Sequence, residues 1–144
     1  EQLVKIRENL VPILERYGVD LDLCGHSHDY ERSRPMYGYY GKEEAFASAR
    51  NTLSGSSGMN DGSKNSAPYT KSGLRGKGTI YVVTGSAGKL GGMQPGFPHN
   101  AMYYSDATHG GASLLEVNGD RLDFKWICAD GIIRDRFTII KNTD

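Results

Sequence analysis

The first part of the chain combines a helical pattern of apolar residues with a strand pattern. Between residues 2 and 17, apolar side chains recur every three or four positions, as one face of an amphipathic helix requires. Gly18 is a suitable end for this helix, whereas Pro12 lacks the amide hydrogen that would bond to Glu8 and therefore predicts a kink. Alternating apolar and acidic residues at positions 19–24 then predict a β-strand.

The second half of the chain predicts a sheet. The apolar run TIYVVTG at 79–85 is typical of a buried strand. Three further strand-like runs follow, at 112–118 (ASLLEVN), 121–128 (RLDFKWIC) and 132–140 (IIRDRFTII). The dipeptides Asn118-Gly119 and Asp130-Gly131 separate these runs, and each is a strong hairpin signal. We therefore predict an α/β (α+β) fold with a mixed sheet that ends in an antiparallel meander, with Phe124 and Trp126 in its core.

Residues 51–78 interrupt this pattern. The segment is rich in Gly, Ser, Asn and Lys, and it has neither a helical nor a strand period. A loop of this length is usually a functional lid or a mobile insertion, and plain disorder is the alternative. Its basic residues could attract an anionic substrate or could simply be solvated; they are Lys64, Lys71, Arg75 and Lys77.

Composition excludes two classes of partner. The 144 residues have the length of one domain. The 17 basic residues are balanced by 17 acidic ones, which argues against binding to nucleic acid or to an anionic membrane. The chain contains no apolar stretch of the ~18 residues that a membrane span needs. Cys24 and Cys128 lie in apolar strand-like runs, which favours free, buried thiols over a disulfide.

The segment DLDLCGHSHDYERS, at 20–33, contains the most specific chemistry of the sequence. In an extended segment, side chains at i and i+2 point to the same side, so His26 and His28 could present both imidazoles in one direction. Their spacing suits two neighbouring metal ions, which lie about 3.5–4 Å apart in hydrolytic sites, better than it suits one ion. Gly25 lets the chain turn at the strand end, where α/β proteins commonly bind ligands. Two histidines in a solvated surface turn are the alternative.

The flanking residues give this segment a resemblance to a known family. YGVDLDLCGHSHDYERS, at 17–33, resembles the GHxHxYER form of the purple acid phosphatase-like enzymes among the calcineurin-like metallophosphoesterases. IRENLVPILERYGVD, at 6–20, is similar to the helix that leads into it, and residues 80–88 and 109–139 are similar to later strands of that fold. The resemblance implies that residues 1–144 are a partial metallophosphoesterase domain, the C-terminal half of a four-layer αββα sandwich.

The resemblance also implies a dinuclear metal site. His26 would bind one ion and His28 the other, with iron, zinc or manganese as the metals. In the intact family, the two ions polarise a phosphate mono- or diester and activate the attacking water. The family's other ligand motifs are an Asp-x-His, a Gly-Asp-x-x-Asp or Tyr, a Gly-Asn-His-Asp or Glu, and a single His, and they precede GHxH. This chain contains only the last motif, so we expect a fragment that is inactive alone.

The resemblance implies partners and a location as well. A phosphate ester would be the substrate, and the missing N-terminal half of the domain would supply the other ligands. An exposed sheet face or edge would otherwise favour self-association. The family suggests a secreted or periplasmic protein, although the sequence itself leaves the location open.

Four further residues are candidates for the site. Tyr30 and Arg32 could contact substrate, because arginine pairs well with phosphate, or they could pack and pair beneath the loop. His99 and His109 could line a pocket or could be structural or solvated. A different class of function also fits the sequence, namely a non-enzymatic β-rich interaction or structural module in which GHSH is an ordinary turn. Metal binding that depends on the two GHSH histidines would distinguish the enzyme from this module.

Overall fold

The computed structural model describes residues 2–73, 75–93 and 95–142, which form two mixed four-stranded sheets and a few short helices. In chain order the elements are α1 (Gln2–Asn9), α2 (Val11–Arg16), β1 (Leu21–Cys24), β2 (Tyr30–Ser33), a 3-10 turn (Glu43–Ala45), α3 (Ser48–Asn51), β3 (Tyr69–Ser72), β4 (Ile80–Thr84), β5 (Met102–Asp106), β6 (Gly111–Asn118), β7 (Arg121–Cys128) and β8 (Ile133–Asn142). The predicted mixed α/β class is confirmed.

The two sheets each combine parallel and antiparallel pairs. In the first sheet the strand order is β1-β4-β2-β5, with β1 parallel to β4 and β2 antiparallel to both of its neighbours. In the second the order is β3-β8-β7-β6, and the last three strands form the predicted antiparallel meander. Gly119 and Gly131 have φ of 55° and 81° in the two hairpin turns, a left-handed conformation that glycine adopts without a steric penalty.

The helical segment is divided in two, as Pro12 predicted. The helix is interrupted at Leu10, between α1 and α2. Pro12 lies in the first turn of α2, where the helix does not need the amide hydrogen that proline lacks. Gly18, with φ of 67°, follows the end of α2. Its amide donates to the Glu15 carbonyl at 3.1 Å, which ends the helix as predicted.

Three strands were not predicted from the sequence. β2, β3 and β5 have only four or five residues and contain many polar side chains, so no period distinguishes them from loops. β3 lies inside the segment 51–78, where we predicted a loop, and it pairs in parallel with β8. The part of that segment before β3 forms turns with internal hydrogen bonds, such as Ser57 N–H to the Asn65 carbonyl at 2.8 Å.

Lys71, one of the basic residues suggested to attract substrate, is instead buried in β3. Its ammonium group lies 2.8 Å from the Asp20 carboxylate and donates to the Gly18 and Val19 carbonyls at 3.2 Å. Burial lowers the pKa of Lys71, and the ion pair with Asp20 opposes this effect. Lys71 therefore joins β3 to the start of β1 and is not available to a substrate.

The two cysteines differ in exposure. Cys24 and Cys128 are both free, as predicted, but only Cys128 is buried. Cys24 is exposed because it ends β1, a strand at the edge of its sheet.

Within the described ranges, every helix is too short or too polar to cross a membrane.

The hydrophobic core lies between the two sheets. Tyr30 of β2 stacks on Trp126 of β7 with ring centroids 4.2 Å apart, and Phe124 stacks on Phe137 at 4.7 Å. These rings are almost fully buried, so the predicted core position of Phe124 and Trp126 is confirmed. The remaining buried apolar members of the cluster are Tyr69, Ile80, Val82, Cys128 and Ile139.

A buried ion pair lies within this core. The Arg32 guanidinium of β2 donates to both carboxylate oxygens of Asp135 in β8, at 2.6 and 2.7 Å, and both side chains are 0% exposed. Tyr30 donates its hydroxyl hydrogen to the same carboxylate at 2.7 Å. Arg32 also donates to the Ser57 carbonyl and to the Tyr69 hydroxyl, at 3.1 and 3.0 Å. The network therefore joins both sheets and the loop before β3.

Gly85, directly after β4, brings two loops into contact. Its amide donates to the Asp29 carbonyl at 3.1 Å. A Cβ at this position would overlap the Ser27 carbonyl oxygen and would also approach the Gly25 backbone. Only glycine fits here without displacing residues 25–29, so the position of the GHSH segment depends on Gly85.

We expect Asp135→Asn to destabilise the fold strongly. The change leaves the Arg32 charge buried without its counterion, which typically costs about 3–5 kcal/mol of unfolding free energy. Urea unfolding would measure this loss, with Glu116→Gln as the matched control, because the Glu116–Lys125 pair is exposed. The control should lose less than ~1 kcal/mol. Equal losses in the two variants would contradict a special role for the buried pair.

We expect Gly85→Ala to lower stability by about 1–3 kcal/mol, because the added methyl group must displace the Ser27 carbonyl. Gly88→Ala is the control, since a Cβ at Gly88 meets no atom within 4 Å. Thermal unfolding together with amide chemical shifts of residues 25–29 would test both variants. Unchanged shifts and an unchanged melting temperature in Gly85→Ala would contradict the predicted contact.

Candidate functional site

The GHSH segment is a tight turn between β1 and β2. Ser27 N–H donates to the Gly25 carbonyl at 3.0 Å, and His26 between them has φ of 72°. A three-residue turn with positive φ at its centre is the rare, strained form of the γ-turn. The segment is therefore not extended, and the alternation that we used to place His26 and His28 on the same side does not apply to it.

Both imidazoles are exposed, while hydrogen bonds hold the turn that carries them. His28 accepts a hydrogen bond at its carbonyl from Gly91 N–H, at 3.0 Å. Asp29 is buried and accepts a hydrogen bond at one carboxylate oxygen from the Ser27 hydroxyl, at 2.8 Å. Its other oxygen, Oδ1, is buried without a hydrogen-bond partner among the described residues. The turn thus exposes His26 and His28 to solvent. The neighbouring Asp29 carboxylate is buried, and its Oδ1 atom could accept a further hydrogen bond.

Three chain segments meet at this end of the first sheet. Tyr30, the first residue of β2, pairs with Thr84 at the end of β4 and with Asp106 at the end of β5. The GHSH turn, the loop 85–91 and the turn 106–110 therefore begin or end at the same level of the sheet. The GHSH turn therefore lies at a strand end, where α/β proteins commonly bind ligands.

The turn after β5 contains a carboxylate–imidazole pair. The Nδ1 atom of His109 lies 2.7 Å from Asp106 Oδ2, and the other carboxylate oxygen accepts backbone hydrogen bonds from Thr108 and His109, at 2.8 and 3.0 Å. Burial raises the pKa of Asp106, but these hydrogen bonds outweigh it and leave the pKa below its ordinary value. The sequence identified His109 but did not assign Asp106 to the site. The available signal was the aspartate itself, because Asp side chains often accept a hydrogen bond from the amide two residues on, as Asp106 does from Thr108.

His99 belongs to a different part of the surface. It lines an apolar groove of about 300 Å³ that also includes Leu3 and Ile6 of α1. The described lining of this groove includes neither of the GHSH histidines. Burial lowers the pKa of His99, and the nearby Glu43 carboxylate opposes this effect from 3.6 Å.

Tyr30 and Arg32 do not face the site. Both are 0% exposed and direct their polar atoms at Asp135, between the sheets. Burial raises the pKa of the Tyr30 hydroxyl well above its ordinary value, so this group remains a neutral hydrogen-bond donor. Neither side chain is exposed to solvent in this structure, and the alternative, packing and pairing beneath the loop, describes their positions.

The donor set fits a metal in type but not in number. Imidazole nitrogen suits zinc, iron and other transition metals. Structural zinc sites use four protein ligands and catalytic sites three. In the part of the chain that the structure describes, no three His, Cys, Asp or Glu side chains are grouped closely enough to hold one ion. His26 and His28 could therefore supply only part of a metal site.

Comparisons of sequence show relatives over nearly the whole chain. No protein-family model matches it. It is 27% identical over 141 residues to "Probable inactive purple acid phosphatase 1" of Arabidopsis thaliana, an alignment that covers 94% of this chain and 19% of that protein. It is 30% identical over 135 residues to a nucleotide pyrophosphatase/phosphodiesterase of Hordeum vulgare, covering 92% of this chain and 30% of that protein. The chain thus spans less than a third of the length of these relatives.

A solved structure shares the fold. The purple acid phosphatase PPD1 from yellow lupin (Lupinus luteus) seeds matches with a TM-score of 0.65 and 24% sequence identity, over 93% of this chain and 20% of that chain. The resemblance that the sequence indicated is thereby confirmed: over nearly its whole length, the chain is similar to purple acid phosphatases in sequence and in fold.

Proposed function

We propose that this chain is part of a metal-dependent phosphoesterase that hydrolyses phosphate mono- or diesters, with His26 and His28 among its metal ligands. The main support is the strained γ-turn that holds His26 at positive φ, next to an exposed His28, where three strands of one sheet begin or end. Such strain persists only where the surrounding structure enforces it, and it is concentrated at functional sites.

The names of the relatives support the class of reaction. The barley relative is named a nucleotide pyrophosphatase/phosphodiesterase, and the lupin protein is named a purple acid phosphatase. The Arabidopsis relative is named a probable inactive purple acid phosphatase, so similarity of this degree is compatible with loss of activity.

Bound metal ions would polarise the phosphoryl group and activate the attacking water. Residues of this chain would bind the ions and support the turn that carries the ligands. His26 and His28 offer ring nitrogens to the ions, while Asp29 and Gly85 hold the turn in place through Ser27. Two ligands bind a metal only weakly, so the remaining ligands must come from another segment.

We propose that an upstream segment of the same protein supplies them. β1 is at the edge of its sheet, and within the described residues only one of its edges is paired, the one that faces β4. Leu23 of this strand is exposed, which leaves an apolar side chain beside the open edge. An added strand would cover both features. The alternative partner is a second copy of this chain, which would pair through the same edge.

The non-enzymatic module remains the second candidate function. One observation favours it, namely that the described residues lack a group of three or more side chains able to hold a metal. In such a module, GHSH would be a turn whose histidines bind nothing.

Metal content separates the two functions. We expect the protein extended by its upstream segment to purify with close to two ions per chain by elemental analysis. His26→Ala/His28→Ala should lose most of this metal, because each ion then lacks one ligand. The control is His99→Ala, which removes a histidine from the apolar groove and should keep the metal.

If the double variant of the extended protein keeps all of its metal, His26 and His28 are excluded as ligands. That result would favour the module. The same assay on residues 1–144 alone should show far less than one ion per chain. Two tightly held ions in that short form would contradict the proposed need for an upstream segment.

A further inference from the structure

The apolar groove that contains His99 lies between the two N-terminal helices and the outer face of the first sheet. Tyr30 and Arg32 of β2 point into the core, so Glu31 between them is on the opposite face, where it lines the groove. Asp22 of β1 also lines the groove, and apolar side chains of α1 and α2 form its other wall. The volume of about 300 Å³ is within the range of small-molecule sites.

The charges of the groove are unbalanced. Its described lining contains three carboxylates and one guanidinium, which belong to Glu15, Asp22, Glu31 and Arg7. The guanidinium of Arg7 donates to the Gly41 carbonyl. The carboxylate of Glu15 accepts hydrogen bonds from the Gly38 amide and the Tyr40 hydroxyl, at 3.0 and 2.6 Å. The groove therefore combines an apolar lining with a net negative charge.

Asp22 is the carboxylate without a partner. Its side chain is half-buried and makes no hydrogen bond or ion pair among the described residues. In the register of β1 and β4 it lies directly beside Tyr81, which also lines the groove. The Tyr81 hydroxyl is buried and lacks a hydrogen-bond partner of normal geometry in the described part of the chain. Two neighbouring acceptors, one of them charged, are thus available to a ligand.

This arrangement favours one charge type among apolar ligands. An anionic ligand would be repelled by Asp22 and Glu31, whose pKa values burial already raises. A neutral ligand would desolvate the Asp22 carboxylate further without a counter-charge, which costs free energy. A primary ammonium group has the opposite charge and three donors, so it could satisfy both the carboxylate and the Tyr81 hydroxyl oxygen.

We propose that the groove binds a small organic cation in which a primary ammonium group is attached to an apolar body. Asp22 supplies the counter-charge, and the Tyr81 hydroxyl accepts a hydrogen bond. The apolar side chains of α1 and α2 cover the body of the ligand. The described lining contains neither His26 nor His28, so this site is separate from the GHSH turn and the inference does not rest on the proposed phosphoesterase.

The test compares three probes that share a phenyl ring and differ in charge: phenethylamine, phenethyl alcohol and hydrocinnamate. Calorimetric titration at neutral pH is carried out on the protein that includes the upstream segment and on residues 1–144. We expect the amine to bind at least about tenfold more tightly than the alcohol, as an ion pair in a partly desolvated groove predicts. Hydrocinnamate should bind more weakly than the alcohol. The amine should also shift the amide resonances of β1 and β4.

Two variants separate the ion pair from effects on folding. Asp22→Asn keeps the shape of the side chain and removes its charge, so amine affinity should fall about tenfold or more while alcohol affinity changes little. Tyr81→Phe should lower amine affinity by only about two- to tenfold, because it removes one neutral acceptor. The matched control is Glu116→Gln, which removes a carboxylate from an exposed pair on the second sheet and should bind all three probes like the wild type.

Amine-selective binding to the extended protein that Asp22→Asn weakens would support the proposal. Equal affinities for the amine and the alcohol, or an amine affinity that Asp22→Asn leaves unchanged, would overturn it. The absence of binding by every probe in both forms would do the same. Amine binding to residues 1–144 that is lost in the extended protein would show that the upstream segment covers the groove, and the small-molecule site would be wrong.

Discussion

The buried ion pair between Arg32 and Asp135 ties β2 of the first sheet to β8 of the second. A charged pair without access to water is stable only if its hydrogen-bonding groups are satisfied, and removal of one partner costs several kcal/mol. Here the partners come from both sheets, with Tyr30 and Tyr69 completing the network. The sheets cannot slide past each other without exposing an unpaired charge to the aromatic core. The pair therefore fixes the position of β2 relative to β8.

This constraint extends directly to the candidate site. Tyr30 and Arg32 are two residues apart in β2, so their side chains lie on the same face of the strand and both point into the core. The residues just before them form the GHSH turn. Because the start of β2 is fixed, the turn cannot move away from the strand ends. The tyrosine and arginine that follow the two histidines thus hold the candidate site in place through their bonds to Asp135. Gly85 completes the arrangement by letting the next loop approach the Ser27 carbonyl.

The sequence predicts those parts of the fold that have a long period or a strong turn signal. The α1–α2 segment, β4 and the meander after Gly110 were predicted because apolar spacing and two Xaa-Gly turns define them. β2 was not predicted, since the burial of Arg32 depends on Asp135, 103 residues away. The GHSH histidines were recognised from their motif, but the positive φ of His26 cannot be deduced from residue types. The pairing of His109 with Asp106 was missed because it arises from the conformation of a single turn.

The conformation of His26 supports the proposal that its side chain binds a ligand. Among the described residues, three non-glycine residues have positive φ: Asn60, Asn65 and His26. Asparagine tolerates this region because its short amide bonds to the local backbone, whereas other side chains meet a steric cost of about 1–2 kcal/mol. Glycine at position 26 would remove that cost and leave the turn intact. A histidine there is therefore unfavourable for folding alone, and a ligand bound by its imidazole would offset the cost.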